Sequence, residues 1–377
     1  MKIGLLLPSV YMGNKYKDKI FAPKELLLNL ANTLLDRGHK VFVYGAPGTK
    51  TNARLIQGHE ELIQRDFTSP KFRGLDRLSK LKNAHTATKI EYEIDLSVKA
   101  FLHARKEKVD IMHSYHDFMA HYINKLIPVP TVYTIHDPRP RAEHIAYWRF
   151  KHFARDNYIF ISKSQKRHYG RLIRSIGVAY HGVDTNKFPF SQKGGDYFAF
   201  IGRYIKEKGV VEAMSAVKEA GVRLKMVGDD AYRVLPYYQT RVLPQLKKGI
   251  IEDETFIGEA DRGTFLKNAY ALLFPILWEE PFGMVMIEAM SCGTPVIAFN
   301  HGSVSEVIKD GETGYIVDPK EGARGLVRAI KKLRSLSLPE YHLMRNACRA
   351  HVEKNFTLQK MAEQHEKVYQ KVVGFHA

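Results

Sequence analysis

The 377 residues predict an α/β protein of two domains, each built on a doubly wound parallel sheet. Three observations carry that expectation. Short apolar runs alternate with segments of helical apolar spacing along most of the chain. Glycine or proline stands at many of the changes between them. The alternation starts afresh near Tyr197, and 377 residues suffice for two hydrophobic cores.

Lys2–Leu7 is short and apolar and reads as the first parallel strand. Ser9–Phe21 is a polar loop with Gly13 and three lysines. From Pro23 on, Leu26, Leu27, Leu30, Ala31 and Leu34 recur at helical spacing, and Gly38 ends that helix. Pro23 suits a first turn, where its missing N–H costs nothing. Val41–Tyr44 follows as a second strand, so this unit opens a doubly wound fold. Residues 54–108 are charged and partly helical, with Phe67, Phe72 and Leu75 as scattered apolar anchors, and no chemistry is assigned to them. Asp110–His113 and Thr131–Thr134 read as strands, with a helix over Phe118–Leu126 between them. A basic helix over Trp148–Arg155 precedes a strand at Tyr158–Ile161, and Ser162-Lys163-Ser164 suits a helix cap. Val178–Tyr180 is read as the last strand of the first domain. Ligands of open parallel sheets sit at the carboxyl ends of strands. His136 follows such a strand and is a functional candidate, with His113 and His116 secondary ones.

Gln192–Asp196 has the glycine and lysine content of a linker. The second domain then repeats the pattern: strand Tyr197–Ile201, loop Gly202–Gly209, helix Val210–Ala220, strand Arg223–Val227. The loop sets Arg203 at a strand end and Lys208 by a helix start, two cations on one rim. Such cations suit an anionic ligand, and arginine adds a bidentate fork for phosphate or carboxylate oxygens. Thr255–Gly258 reads as a short strand. Ala271–Phe274 is a buried strand ended by Pro275, and Trp278-Glu279-Glu280-Pro281 is a loop. Gly283 opens an apolar helix to about Cys292, which Gly293 and Pro295 close before the strand Val296–Ala298. Free N–H groups at that helix start make Gly283–Val285 suited to a phosphate. Glu280 and Glu288 bracket the turn, eight residues apart. Tyr315–Val317 is a last strand; helix follows from Ala323, is interrupted over Arg349–Phe356, and resumes over Thr357–Val373.

Of the formal charge of +18, +15 lies in residues 1–181, and residues 139–174 hold ten basic and two acidic side chains. That asymmetry points to an anionic partner for the first half: anionic lipid, an acidic acceptor or nucleic acid. No interleaving of aromatic and basic residues suggests a nucleic-acid platform. No apolar run approaches the roughly 20 residues of a membrane span, and the start is too soon broken for a signal peptide. Two cysteines exclude a disulfide framework and fit a reducing cytoplasm, with peripheral membrane contact as the alternative location. The chain has no Asp-x-Asp pair and no Cys/His cluster at metal-ligand spacing, so no metal or other cofactor is expected.

Glu280, Glu288 and the run Cys292–Ala298, in their strand–loop–helix–strand frame, resemble the signature of retaining glycosyltransferases of family 4, which have the GT-B fold. Leu35–Val41 resembles the same family's first domain, and His181–Asp184 with Phe188–Phe190 its crossover. The resemblance implies two Rossmann-like domains facing across a cleft, over 1–181 and 182–355, with a helix over 356–377 crossing back. It implies sugar transfer from a UDP-, GDP- or ADP-sugar to a hydroxyl of a sugar, lipid-linked or small-molecule acceptor, without metal. Arg203 and Lys208 fall on the family's leaving-group cations, and His136 and Glu280 on groups that meet the donor sugar. Glu288 would hold the ribose diol. Gly202, Pro281, Phe282, Gly283, Met284 and Val285 would line the donor, partly through backbone N–H groups. Phe256 and Ile257 would lie along the base. The family's retaining step is commonly drawn as same-face attack, with Glu280 as a transient nucleophile the other reading. Two features depart from the family. Ala22-Pro23 stands where many members have glycines, with Lys24 or Lys19 as substitute cations, and Ser303 and Ser305 replace a glycine and a proline in the turn 300–306. Other readings are a phosphorylase, a sugar-nucleotide epimerase, or a non-catalytic basic binder of membrane or nucleic acid.

Overall fold

A computed structural model describes residues 1–13, 22–59, 61–64, 77–115, 119–255 and 259–374. Phe67, Phe72, Leu75, Lys19, His116, Phe256 and Ile257 lie outside these residues. The chain divides into two compact units, one of residues 1–161, 169–179 and 361–377, the other of residues 162–168 and 180–360.

The first unit runs β1 (Lys2–Leu6), α1 (Ala22–Asp36), β2 (Lys40–Gly45), β3 (Arg54–Gln57), α2 (Glu61–Gln64), α3 (Arg77–Lys106), β4 (Ile111–Ser114), α4 (Met119–Leu126), β5 (Thr131–Ile135), α5 (Ile145–His152), β6 (Asn157–Phe160) and β7 (Ser175–Val178); α6 (Lys163–Tyr169), between β6 and β7 in the chain, belongs to the second unit over residues 163–168. Its seven strands are parallel in the order β3-β2-β1-β4-β5-β6-β7. β1, β2, β4 and β5 are almost wholly buried, which is why they read as unbroken apolar runs. α1 turns Leu26, Leu27, Leu30, Ala31 and Leu34 into the core.

Two expectations need correction here, and one an addition. Residues 54–108 are helical in part, as expected, in α2 and the thirty-residue α3, and they also hold a strand, β3. β3 is an edge strand exposed at both ends, so it lacks the apolar run that marks its neighbours. α5 starts at Ile145 rather than Trp148, because the His144 side chain accepts from the Ala146 N–H and caps it there. β7 is also an edge strand and ends at Val178, ahead of the expected Val178–Tyr180.

The second unit holds β8 (Tyr197–Ile201), α7 (Val210–Ala220), β9 (Arg223–Val227), β10 (Ile251–Glu254), α8 (Glu259–Lys267), β11 (Ala269–Phe274), α9 (Met284–Ser291), β12 (Val296–Phe299), α10 (Val304–Val307), β13 (Gly314–Val317), α11 (Gly322–Arg334) and α12 (Leu338–Asn355). Six parallel strands stand in the order β10-β9-β8-β11-β12-β13.

Here, of the strand expected at Thr255–Gly258, Thr255 is outside any strand and 256–258 lie outside the described residues, while a strand that the sequence reading did not expect stands at Ile251–Glu254. Its acidic residues hide it as a strand: Glu254 pairs with Lys225 at 2.8 Å and Asp253 with Arg233 at 2.7 Å. Helix continues through Arg349–Asn355, where a break was expected; Arg349 pairs with Glu353 at 2.6 Å one turn on. The break there is confined to Phe356–Thr357, and another falls at 335–337, where Ser337 and Glu340 form a capping box around Pro339. Gln192–Asp196 lies inside the unit, not between units: a Cβ on Gly194 would press on the Arg345 guanidinium. Arg345 is fully buried and donates to the Ser191, Ala269 and Lys267 carbonyls at 2.7, 3.0 and 3.1 Å.

α13 (Leu358–Gly374) begins in the second unit and from Met361 on belongs to the first. There Tyr369 meets His113, and Glu366 takes a bidentate contact from Arg37 at 2.8 and 2.7 Å.

Candidate donor site in the second unit

β9 lies on one side of β8 and β11 on the other, so the loops after β8 and β11 leave the sheet at its switch point. They are joined there, because the Leu277 N–H donates to the Glu207 carbonyl at 2.8 Å. Lys208 Nζ stands 2.6 Å from Glu280 Oε2. Trp278 Nε1 donates to the same oxygen at 2.8 Å, and the ammonium lies 5.1 Å from the Trp278 ring centroid. Only 15% of the Lys208 side chain and 12% of Glu280 are exposed. In so shielded a pair, deleting one partner strands the other charge at a cost of about 3–5 kcal/mol. Arg203, on the same loop, is exposed, with the Tyr232 ring 6.0 Å away. It has no ion-pair partner among the described residues.

A polar network fixes the loop that carries these cations. Tyr204 donates to Asp253 Oδ1 at 2.5 Å, and Arg233 clamps both Asp253 oxygens at 2.7 and 2.9 Å. Burial, then the Asp253 bond, raises the Tyr204 hydroxyl well above its ordinary range. Gly202 is partly exposed, and its N–H donates to the Val227 carbonyl at 3.1 Å.

The loop after β11 is braced by the turn 300–303. The Gly302 N–H donates to Glu279 Oε2 at 2.8 Å, and the Ser303 N–H to the Glu280 carbonyl at 3.0 Å. Ser303, fully buried, donates its hydroxyl to the Phe282 carbonyl at 2.7 Å. Gly302 has φ +60°, and a Cβ there would overlap the Glu280 backbone. Ser303, one of the family departures, thus serves as a brace.

Gly283 has φ +78° and opens α9 with no side-chain cap, leaving the first N–H groups of the helix to another acceptor. Gly283, Met284 and Val285 are partly exposed; Pro281 and Phe282 are buried. The Phe282 ring packs 5.1 Å from His181 and 6.0 Å from Phe356, so only its backbone is available to a ligand. Glu288, one turn inside α9, is 6% exposed and faces Arg262 of α8 at 3.5 Å. Cys292 beside it is no nucleophile, since burial first and Glu288 next push its thiol up to about 12.

His136 sits at the carboxyl end of β5 in the first unit, partly exposed, its ring 5.1 Å from Tyr115. His113 is a core residue instead. It is fully buried, with Nδ1 2.6 Å from Tyr369 Oη and Nε2 2.5 Å from Thr134 Oγ1.

Lys208 and Glu280 are therefore in contact, Arg203 stands on the loop of Lys208, and Glu288 is held in a separate pair. Sequence reasoning missed Trp278 and Arg262 as partners of the two carboxylates, and Glu306. The Glu306 carboxylate accepts from the Lys163 and Ser164 N–H groups at 2.8 and 2.5 Å and from Tyr180 at 2.8 Å. Such pairings carry no local motif. Among the described residues no group of three or more His, Cys, Asp or Glu could hold a metal ion.

Two doubly wound parallel units, with cations and carboxylates at the switch point of the second, define the class. The family model for glycosyltransferase family 4 matches residues 25–187, and that for glycosyl transferases group 1 matches 184–351. The chain belongs to the GT-B glycosyltransferases. It is 31% identical over 178 residues to N-acetyl-alpha-D-glucosaminyl L-malate synthase of Bacillus anthracis, covering 46% of this chain and 45% of that one. It is 28% identical over 177 residues to glycogen synthase of Mycobacterium tuberculosis, covering 44% and 41%. The matched segments thus span less than half the length of either relative. The crystal structure of HepE from Anabaena in complex with UDP and glucose aligns over 98% of this chain and 100% of that one, with a TM-score of 0.70 at 17% identity, a likeness of fold.

Proposed function

We propose that the protein transfers a glycosyl group from a nucleotide sugar, a UDP-, GDP- or ADP-sugar, to an acceptor hydroxyl, with retention and without a metal ion. The observation that carries this reading is the shielded Lys208–Glu280–Trp278 cluster with Arg203 open beside it. Arg203 and Lys208 take the diphosphate, and its charge grows as the glycosidic bond breaks. Fixed cations in a dry site stabilise that charge without reorganising. With no Asp-x-Asp pair in the chain, this work falls to the two side chains.

Glu280 Oε2 already accepts from an ammonium and an indole N–H. Two such bonds withdraw its electron density and favour a role in holding sugar hydroxyls over nucleophilic attack. The acceptor oxygen then attacks from the leaving-group side, and a diphosphate oxygen takes its proton. Glu288 holds the ribose, and the N–H groups at the start of α9 meet phosphate or sugar. His136 serves the sugar. A UDP-sugar is favoured, as the related fold of HepE is described with UDP and glucose.

The test is a panel of UDP-, GDP-, ADP- and dTDP-sugars in the presence of EDTA, read by thermal shift and by slow donor hydrolysis. Selective stabilisation and hydrolysis by one donor is expected, with the anomeric configuration kept on transfer. No response to any donor, or a strict need for added metal, overturns the reading. A need for inorganic phosphate moves it to a phosphorylase.

A further inference from the structure

We infer that the outer face of α4 and α5 in the first unit is a docking surface for an anionic lipid bilayer. α5 buries Phe150 in the core, 3% exposed, and turns Ile145 and Trp148 outward, 71% and 55% exposed. These two lie three residues apart, on one side of the helix. On α4, Tyr122 and Leu126 are outward in the same way, 47% and 80% exposed. The two helices share this face: the Tyr122 ring stacks 6.5 Å from His152 and meets Phe153 edge-on at 4.8 Å. Four large side chains with apolar surface therefore stand exposed on adjoining helices.

What covers them is argued from charge. Arg139 and Arg141 precede α5, Lys151 lies on it, and Arg155 follows it. Lys151 Nζ stands 5.1 Å from the Trp148 ring centroid, so cation and indole share one spot on the surface. Beyond Leu126, Lys125, Arg155 and Arg174 line a cavity of about 520 Å³ at the amino ends of β5, β6 and β7. The one acidic side chain there, Asp156, is taken up by His121 at 2.7 Å and Lys125 at 3.4 Å. Exposed Trp, Tyr, Ile and Leu among Lys and Arg suit the headgroup layer of a bilayer, where amphipathic rings reside and basic side chains meet anionic lipid. Nucleic acid fits less well, since aliphatic Ile145 and Leu126 offer no stacking surface for bases.

The inference does not depend on the transferase reading, and its test reads binding alone. The full chain is sedimented with vesicles of phosphatidylcholine, and of phosphatidylcholine with 30% phosphatidylglycerol. Binding only to the anionic vesicles is expected, fading with added salt. Ile145→Ser/Trp148→Ser should weaken it by about tenfold or more. Arg139→Gln/Arg141→Gln/Lys151→Gln should weaken it by about fivefold per charge removed. All five positions are at the surface, and an unchanged melting temperature verifies folding. Trp148 and Trp278 are the only tryptophans, so Trp278→Phe leaves Trp148 as the sole reporter. Its emission should shift blue on anionic vesicles and be quenched by brominated lipid. No binding to anionic vesicles, equal binding by the Ile145/Trp148 variant, or an unshifted Trp148 overturns the inference. So does salt-sensitive binding to DNA or RNA with no binding to vesicles.

Discussion

Arg203 differs from its neighbour Lys208 in one respect that sets its use: it is exposed and uncommitted, while Lys208 is spent in part on Glu280. Removing it strands no buried charge. Arg203→Ala should therefore lower kcat by about a hundredfold or more while moving the melting temperature by no more than a surface change does. Normal turnover would take Arg203 out of the mechanism. Glu288 poses the opposite case, being buried and paired with Arg262. Its replacement costs stability, so binding has to be read differentially. If Glu288 holds the ribose, a 2′,3′-dideoxy nucleotide should bind wild type and Glu288→Ala alike, while the normal nucleotide loses affinity only in the variant. A loss that persists with the dideoxy ligand would rule out the ribose contact.

At the scale of elements, the site depends on loops held by other loops. The turn 300–303 braces its neighbour: Gly302 holds the Glu279 carboxylate, and Ser303 holds the backbone carbonyls of Glu280 and Phe282. Gly302→Ala meets both a positive φ and the Glu280 backbone. The expected result is a stability loss above about 1 kcal/mol with a larger proportional loss of activity, because Glu280 is displaced from Lys208. Unchanged activity in a folded variant would show that the turn does not position Glu280. The helices after it are ordinary by comparison: the Ser337 capping box starts α12, and Arg345 pins that helix through carbonyls of the loops beneath it.

For the whole molecule, pH dependence follows from histidines folded in neutral form. Burial pushes His365 down to about 4, and pushes His113 well below its ordinary value with help from His365 and His136. In the unfolded chain both titrate near 6.5. Between roughly pH 6.5 and 4 the unfolded state then binds more protons, so stability falls as pH drops through that window. Above it both are neutral in either state and contribute nothing. His365 alone accounts for about 3 kcal/mol by pH 4. Urea midpoints from pH 7 to 4.5 should decline, and His365→Asn should flatten the decline; equal slopes would refute the assignment. The acid-side loss of Glu366, held low chiefly by its bond to Arg37, runs the same way at lower pH.

Much of this was readable from residues alone. Buried parallel strands are apolar over nearly their whole length and their helices apolar on one side, so β1, β2, β5, β8, β11, β12 and α7 stood out in the chain. Arg203 at a strand end and Lys208 by a helix start were candidates by position, and Glu280 and Glu288 by resemblance; of these the structure joins Lys208 to Glu280. Edge strands escaped, because β3 and β10 pair on one side only and tolerate charge. Only tertiary structure decided which side chains oppose the chosen ones. Trp278 on Glu280, Arg262 on Glu288 and Tyr369 on His113 are contacts between positions with no shared period or motif. Local sequence encodes what each segment buries; the partner it finds depends on packing across many residues, which no local pattern records.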